Sequence, residues 1–357
     1  MKILYLNNVM SIGGVTKCIM KLCKEINQDI EVIVASHGGV LVEEFKSRGI
    51  KHYEINDVDD KTPLNIIKNI KILCSIVKYE KIDIIHSHHR MTTLISKIVS
   101  KFTGVKVIHT QHLCIEDKFK LTNLALRDIQ TITVSNAAKK ILIEKSHLDE
   151  SKIVTIYNTI ETENNNKEID EKLLELKEKG YFIIAQVSRA IDYKGVYDFI
   201  NIAKKTVKED NNLRFVFIGD GPEFDNMKKK VSEENLDQFV YLLGSKNNVI
   251  EHLKYIDILL LCSYIEGLPL APLEAFSQSV PVIATNIDGT NEEIVDNVNG
   301  FLVEPKDIDT FKENILKLYK DNHLLSNLKK QAYKTFENNF NEENYKRKHE
   351  YLYKQSI

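Results

Sequence analysis

The sequence predicts an α/β protein built from two doubly wound domains, and three observations lead there. Its 357 residues exceed what one hydrophobic core normally encloses, so two domains of about 150–200 residues each are expected. Short runs of Ile, Val and Leu recur at helix-length intervals, the pattern of parallel strands buried on both faces and joined by crossover helices. That rhythm stops once, at an Asn-rich polar stretch, and then restarts.

In the first half the strand candidates are "KILYL" (2–6), "IEVIVAS" (30–36), "IDIIH" (82–86), "VKVIH" (105–109), "TITVS" (131–135) and "IVTIY" (153–157). The gap "ETENNNKEIDEKLLELKEKG" (161–180) opens with residues that cannot bury much surface, so it reads as a linker followed by a short helix. The boundary is placed near Asn165, dividing the chain into 1–165 and 166–340. The second half supplies "YFIIAQVS" (181–188), "LRFVFIG" (213–219), "FVYLLG" (239–244), "DILLLCS" (257–263) and "VPVIAT" (280–285). The segment 341–357 is charged, with Tyr345, Tyr351 and Tyr353 interspersed, and reads as a closing helix with one packed face that returns to the first domain.

Bulk composition narrows the class. An apolar fraction of 43% and a charged fraction of 28% are those of an ordinary soluble globular chain, and a net charge of −2 argues against a nucleic-acid partner. No apolar run approaches the roughly 18 residues that span a bilayer, and "MKILYLNN" lacks the apolar core of a signal peptide, so a cytoplasmic protein is expected. The five cysteines, Cys18, Cys23, Cys74, Cys114 and Cys262, are odd in number and scattered without a C-x-x-C pair, which suits reduced thiols in small core positions.

Ligands of open α/β sheets sit beyond the carboxyl ends of the strands, so the residues there are the candidates for chemistry. After the first strand, Gly13 and Gly14 precede a helix; they either let backbone approach a ligand or serve a turn that needs positive φ. "VSRAIDYKGV" sets Arg189 and Lys194 five residues apart, either a pair that neutralises a diphosphate or two solvated surface cations. "IGDGPE" places Gly219 and Gly221 at another strand end, where a tight turn explains them as well as a ligand does. His86 and His88 alternate onto one face of a strand, with His89, His109 and His112 nearby, but no Cys or carboxylate completes a metal set. The D-x-D patterns at 57–59 and 307–309 lie among turn-like residues and read as a solvated loop and a helix cap.

"SYIEGLPLAPLEAFSQ" (263–278) carries Glu266 just after a strand and Glu274 eight residues on, within a helix whose Leu270, Ala271, Leu273, Ala275 and Phe276 are expected to be mostly buried. Pro269 and Pro272 suit a loop and a first turn, and the first amides of that helix would meet an anion. Carboxylates in so apolar a run need hydrogen-bonding partners. Hydroxyls of a sugar nucleotide would serve; so would a turn capped by Glu266 and a lysine paired with Glu274.

As an ordered set spread over about 300 residues, these motifs resemble the retaining GT-B glycosyltransferases of family 4. The E-x7-E of Glu266 and Glu274, the "PVIAT" strand, the Gly-containing loop with its Glu and the "NGFLV" turn are similar to that family's signature region, and "IGGVTK", "DIIHSHH", "VIHTQH", "VSRAIDYKG" and "IGDGPE" to its other segments. The resemblance implies two Rossmann-like domains facing a central cleft, the first for the acceptor and the second for a nucleotide sugar. It implies that Glu274 holds the ribose, Glu266 the transferred sugar, and Arg189 and Lys194 the departing diphosphate. Backbone at Gly14 and near Leu270 and Ala271 would donate hydrogen bonds, with Gly13 and Gly219 close by, and His112 would touch the sugar. No metal and no cofactor are implied, the nucleotide sugar being a co-substrate.

The chain departs from the family at Ser188-Arg189, where Gly-Arg is common, at Gly289-Thr290, where Gly-Gly is frequent, and in "GGVTK", which lacks an acidic residue. The loop "GSKNNV" (244–249), with Gly244 and Ser245 at its head, is expected to meet the base through backbone groups, so UDP is favoured over GDP by the resemblance alone. The acceptor is expected to be a saccharide or lipid-linked saccharide of cell-surface polysaccharide or glycolipid synthesis. Residues 64–81 carry Lys68, Lys71, Lys78 and Lys81 beside many isoleucines, either a helix resting on an anionic membrane or one packed on the sheet with its lysines in water. Two other readings are a nucleotide-sugar epimerase of the same architecture, for which no better acid/base pair stands out, and a non-catalytic nucleotide-sugar-binding subunit, against which the full set of charged residues counts.

Overall fold

A computed structural model describes residues 1–26, 29–114, 116–162 and 168–357. The chain divides into two compact units, Met1–Thr159 together with Glu342–Ile357, and Ile160–Asn341. The boundary expected near Asn165 lies outside the described residues.

In unit 1 the strands β1 (Lys2–Leu6), β2 (Glu31–Ser36), β3 (Lys51–Glu54), β4 (Ile84–Ser87), β5 (Lys106–Gln111), β6 (Gln130–Thr133) and β7 (Ile153–Thr155) form one parallel sheet. Their order is β3-β2-β1-β4-β5-β6-β7. The crossovers carry α1 (Gly14–Glu25), α2 (Val42–Ser47), α3 (Pro63–Glu80), α4 (Arg90–Thr103), α5 (Phe119–Leu126) and α6 (Asn136–Glu144). Unit 2 repeats the plan with α7 (Glu171–Glu178), β8 (Phe182–Val187), α8 (Val196–Thr206), β9 (Leu213–Ile218), α9 (Phe224–Glu233), β10 (Val240–Leu242), α10 (Val249–Leu253), β11 (Ile258–Leu261), α11 (Leu270–Ser277), β12 (Val282–Thr285), β13 (Gly300–Val303), α12 (Ile308–Lys320) and α13 (Asn322–Asn339). Its sheet is again parallel, in the order β10-β9-β8-β11-β12-β13. The last helix, α14 (Glu342–Ser356), belongs to unit 1. No helix among the described residues is long and apolar enough to cross a membrane.

The period of two in β1 explains why both faces of the first sheet must be covered. Ile3 and Tyr5 enter one buried cluster with Ile19, Leu22 and Phe45, while Leu4 and Leu6 enter another with Leu73, Ile76, Ile95 and Val99 of α3 and α4. Each such side chain contributes about 1.5–3 kcal/mol by leaving water. In unit 2 a large cluster runs through Phe199, Phe215, Phe217, Met227, Leu260, Phe311 and Ile315.

Two strands fall outside the sequence expectations, β3 ("KHYE") and β13 ("GFLV"), and both are sheet edges. An edge strand needs one neighbour and less apolar surface, so β3 has no Ile/Val run to betray it. The closing helix packs through Tyr345, His349, Leu352 and Tyr353, which share one face, whereas Tyr351 is 63% exposed. Tyr353 hydroxyl lies 2.7 Å from Nδ1 of buried His86 on β4 and 3.3 Å from the hydroxyl of Tyr5 on β1. Lys21 on α1 meets Glu342 at 2.5 Å. All five cysteines are free thiols; Cys18 and Cys262 are buried and the other three half-buried.

Burial holds His109 and His349 far below the ordinary imidazole range, each at about 4. The unfolded chain binds their protons below about pH 6.5 while the folded chain stays neutral down to about 4, so stability is lost as pH falls through that window. Urea unfolding followed between pH 7 and 4.5 should show stability falling with pH, each of these histidines contributing up to about 1.4 kcal/mol per pH unit. His109→Gln and His349→Gln should flatten the slope; an unchanged slope in both would mean that these rings are solvated.

Candidate functional site

In unit 2 the chain runs from β8 outward to β9 on one side and to β11 on the other, so the loops after β8 and β11 part at the carboxyl ends of these neighbours. Lys194 ends a 3-10 turn, Asp192–Lys194, that closes on Gly195 at φ 64°. A Cβ at Gly195 would lie 2.0 Å from the carbonyl oxygen of Cys262, so only glycine lets the two loops approach. Gln186 Nε2 donates to the Lys194 carbonyl at 2.9 Å and to Ser188 Oγ at 3.1 Å, and Tyr264 N donates to the Tyr193 carbonyl at 2.8 Å. These clamps set Lys194 Nζ 2.6 Å from Glu266 Oε1, with the lysine side chain 18% and the glutamate 4% exposed. Two residues 72 apart in sequence thus form one ion pair. Such a pair gains little net stability once desolvation is counted, which makes a structural role a poor explanation for it. Arg189, in the same loop, is exposed, and its guanidinium has no hydrogen-bonding partner among the described residues.

The neighbouring loops are shaped by glycine. Gly219, at φ 151°, would place a Cβ 1.8 Å from the Ser188 carbonyl, and its amide donates to the Gly244 carbonyl at 2.9 Å. Gly244 has φ 71° with open space around it, and Ser245 is exposed. Helix α11 starts after Pro269 with no side-chain cap and no acidic residue in its first turn, which leaves its first amides free for an anion. Leu270 and Ala271, expected to be buried, are half-buried because they stand at this helix tip rather than on its packed face. Glu274 is buried one turn further on.

A third carboxyl group, from the Gly-containing loop whose Glu the sequence left without a number or a role, belongs here. The loop after β12 is pinned by Thr285 Oγ1, which donates to the Ser263 carbonyl at 2.5 Å, and by Gly289 (φ 94°), whose Cβ would lie 2.3 Å from the Gly267 carbonyl. Glu293 N donates to the Thr290 carbonyl at 3.1 Å, and Asn299 Nδ2 donates to the Glu293 carbonyl at 3.0 Å. The Glu293 side chain is 0% exposed, and neither carboxyl oxygen has a hydrogen-bond partner. Burial, and then the charges of Glu266 and Glu292, hold it well above the usual carboxylate range. Ser263 Oγ and Gln186 Oε1 at the neighbouring strand ends are likewise buried without partners. The available signal was the doublet "EE" ahead of Ile294: where one glutamate meets solvent, the next turns inward.

In unit 1, Gly13 is extended (φ 168°, ψ 168°) and exposed, and Gly14 opens α1. No turn with positive φ is needed at Gly13, and a Cβ there would meet nothing within 4 Å. His86 and His88 stack with ring centroids 4.4 Å apart, and His88 Nδ1 lies 2.9 Å from Nε2 of half-buried His112, just past β5. Among the described residues no group of three or more His, Cys, Asp or Glu could hold a metal ion. Asp57 and Asp59 both accept from Asn8 Nδ2 at 2.9 Å, and Asp307 caps α12 through Thr310 N.

Residues 166–335 match the family described as glycosyl transferases group 1, and residues 12–164 match Glycosyltransferase Family 4. The chain is 32% identical over 303 residues to a UDP-Gal:alpha-D-GlcNAc-diphosphoundecaprenol alpha-1,3-galactosyltransferase of Escherichia coli, covering 78% of this chain and 77% of the relative. A crystal structure of a glycosyltransferase from Rickettsia africae superposes with TM-score 0.84 at 26% identity, covering 99% and 98% of the two chains. That of Anabaena HepE in complex with UDP superposes with TM-score 0.86 at 16% identity over 99% and 100%, a likeness of fold.

The buried acid gives a pH-dependent prediction. Because the unfolded chain releases the Glu293 proton near the ordinary glutamate value and the folded chain keeps it, this residue costs stability as pH rises above about 4.5. Glu293→Gln should therefore raise the melting temperature relative to wild type at pH 8 and by much less at pH 5. Equal shifts at the two pH values would show that Glu293 is ionised.

Proposed function

The chain belongs to the group 1 glycosyltransferases, and from that premise we propose that it moves a sugar, with retention of configuration, from a UDP-sugar to a hydroxyl of a saccharide or lipid-linked saccharide acceptor in surface polysaccharide or glycolipid synthesis. The observation that carries this reading is the Lys194–Glu266 contact at the reversal of strand order in unit 2, beside the unpaired Arg189 and the free first turn of α11. UDP is favoured because the E. coli relative is named for UDP-Gal and the HepE complex holds UDP.

In the proposed reaction the bond between the anomeric carbon and the leaving phosphate oxygen breaks while the acceptor oxygen bonds to the same face. The acceptor proton passes to that phosphate oxygen, so no second positioned carboxylate of the glycosidase kind is needed. Arg189 and Lys194 take up the charge that grows on the diphosphate, with the amides of Leu270, Ala271, Gly13 and Gly14 as further donors. Glu266 binds hydroxyls of the transferred sugar, Glu274 those of the ribose, and Gly219, Gly244 and Ser245 border the base. His112 contributes a contact to the sugar. Two cations, Arg189 and Lys194, and a helix tip supply the positive charge, so the reaction is proposed to be independent of metal.

The lipid-linked acceptor named for the E. coli relative gives α3 a role. The helix exposes Leu64 (73%), Ile67 (49%) and Tyr79 (79%) beside exposed Lys68, Lys71 and Lys78, a combination suited to an anionic lipid surface.

Arg189→Ala and Glu274→Gln should each lower kcat by about 10²–10³-fold with unchanged unfolding midpoints, and UDP should raise the melting temperature more than GDP or ADP. The product's anomeric configuration, read by NMR, should equal the donor's, and a chelator should leave the rate unaltered. Wild-type turnover by both variants would defeat the site assignment. For α3, the chain should sediment with vesicles containing anionic phospholipid and not with neutral ones, and Lys68→Glu with Lys71→Glu should abolish that binding; equal partitioning of wild type and variant would refute it.

A further inference from the structure

We propose that His88 is a positioning residue that fixes His112 as a hydrogen-bond donor: His88 Nδ1–H donates to His112 Nε2, which leaves the proton of the His112 ring on Nδ1. The contact is 2.9 Å, between rings whose centroids are 5.2 Å apart and nearly parallel at 26°. His88 is held in place from behind. Its ring stacks on His86, whose two nitrogens are occupied by the hydroxyls of Tyr353 and Thr110, each at 2.7 Å, and its amide donates to the Leu6 carbonyl at 2.9 Å.

The direction of the shared proton follows from the other nitrogen of His88. Nε2 is buried without a partner. If His112 were the donor, the His88 proton would have to sit on that Nε2, as an N–H buried with nothing to accept it. The opposite arrangement leaves only an unused lone pair there, the lesser defect. Burial, reinforced by the neighbouring histidines, keeps His88 well below the ordinary imidazole range and His112 at about 3, so the pair holds two ring protons and not three.

His112 then has one ring nitrogen occupied and the other already protonated. It can donate to an oxygen lone pair, such as that of a sugar hydroxyl, but cannot accept a proton from an attacking alcohol. The role in transfer rests on the proposed reading of His112 as a sugar contact; the tautomer itself does not.

Long-range ¹H–¹⁵N spectra of the ¹⁵N-labelled full chain, recorded without substrate and assigned with His112→Gln, should show the His112 proton on Nδ1. His88→Asn, whose amide N–H takes the place of Nδ1–H, should keep that tautomer and turn over within a few fold of wild type. His88→Leu should move the proton to Nε2 and lower kcat about 10–100-fold, the scale on which lost orienting groups act. A wild-type His112 protonated on Nε2 would overturn the inference, as would a folded His88→Leu variant with wild-type tautomer and turnover. Should His88→Leu fail to fold, the wild-type spectrum and the His88→Asn variant still decide. A wild-type chain with the expected tautomer and no transfer activity would strike the proposed function and leave the proton assignment standing.

Discussion

A parallel strand reached through a helix must be joined by a right-handed crossover, and that handedness governs where this chain can place chemistry. In each unit the sheet grows from a central strand in both directions, β1 to β2 and β3 on one side and β4 onward on the other, then β8 likewise. Crossovers of one hand running in opposite directions must put their helices on opposite faces. The loops at the β1/β4 and β8/β11 junctions therefore separate. Lys194, Glu266, Gly13 and His88 all stand in those loops, although hundreds of residues of sequence lie between the first and the last.

Once the loops part, backbone geometry and burial decide what the side chains can do. Gly195, Gly219 and Gly289 each let one loop touch the carbonyl of another at a distance no side chain permits, so the loops carrying Ser188, Lys194 and Glu266 are locked to β9, β11 and β12. Within that frame two carboxyl groups have different fates. Glu266 has an ammonium against it, while Glu293, among polar atoms that lack partners, is held well above the usual carboxylate range.

Legibility in the sequence tracked burial. The doubly wound plan could be read because central strands, buried on both faces, advertise themselves as Ile/Val runs, as the edges β7 and β10 also do; β3, an edge with the polar run "KHYE", could not, and β13 was read as a turn. Glu266 and Lys194 stood out as charges beside strand ends, but their contact across 72 residues depends on the pairing of β8 with β11. His88 was visible as one of several histidines, yet its partner is fixed only by the register of β4 on β5, where Ser87 lies opposite His109. The loop's Glu was visible as part of the motif, but which of the two adjacent glutamates faces inward could not be read, and the pinned loop turns Glu293 in. Leu270 and Ala271 were misplaced by treating a helix tip as though it were a helix middle.

The return of α14 to unit 1 also bears on how the protein is made. Residues 342–357 leave the ribosome after the whole of unit 2, and Tyr345, Leu352 and Tyr353 are part of the unit 1 core. Until they arrive, His86 and Tyr5 lack the hydroxyl that joins them and part of one face of the first sheet lies bare. The amino-terminal domain, commonly the first to be finished during synthesis, thus needs a segment made after the second one. The core of unit 1 is therefore closed by residues that follow all of unit 2 in sequence.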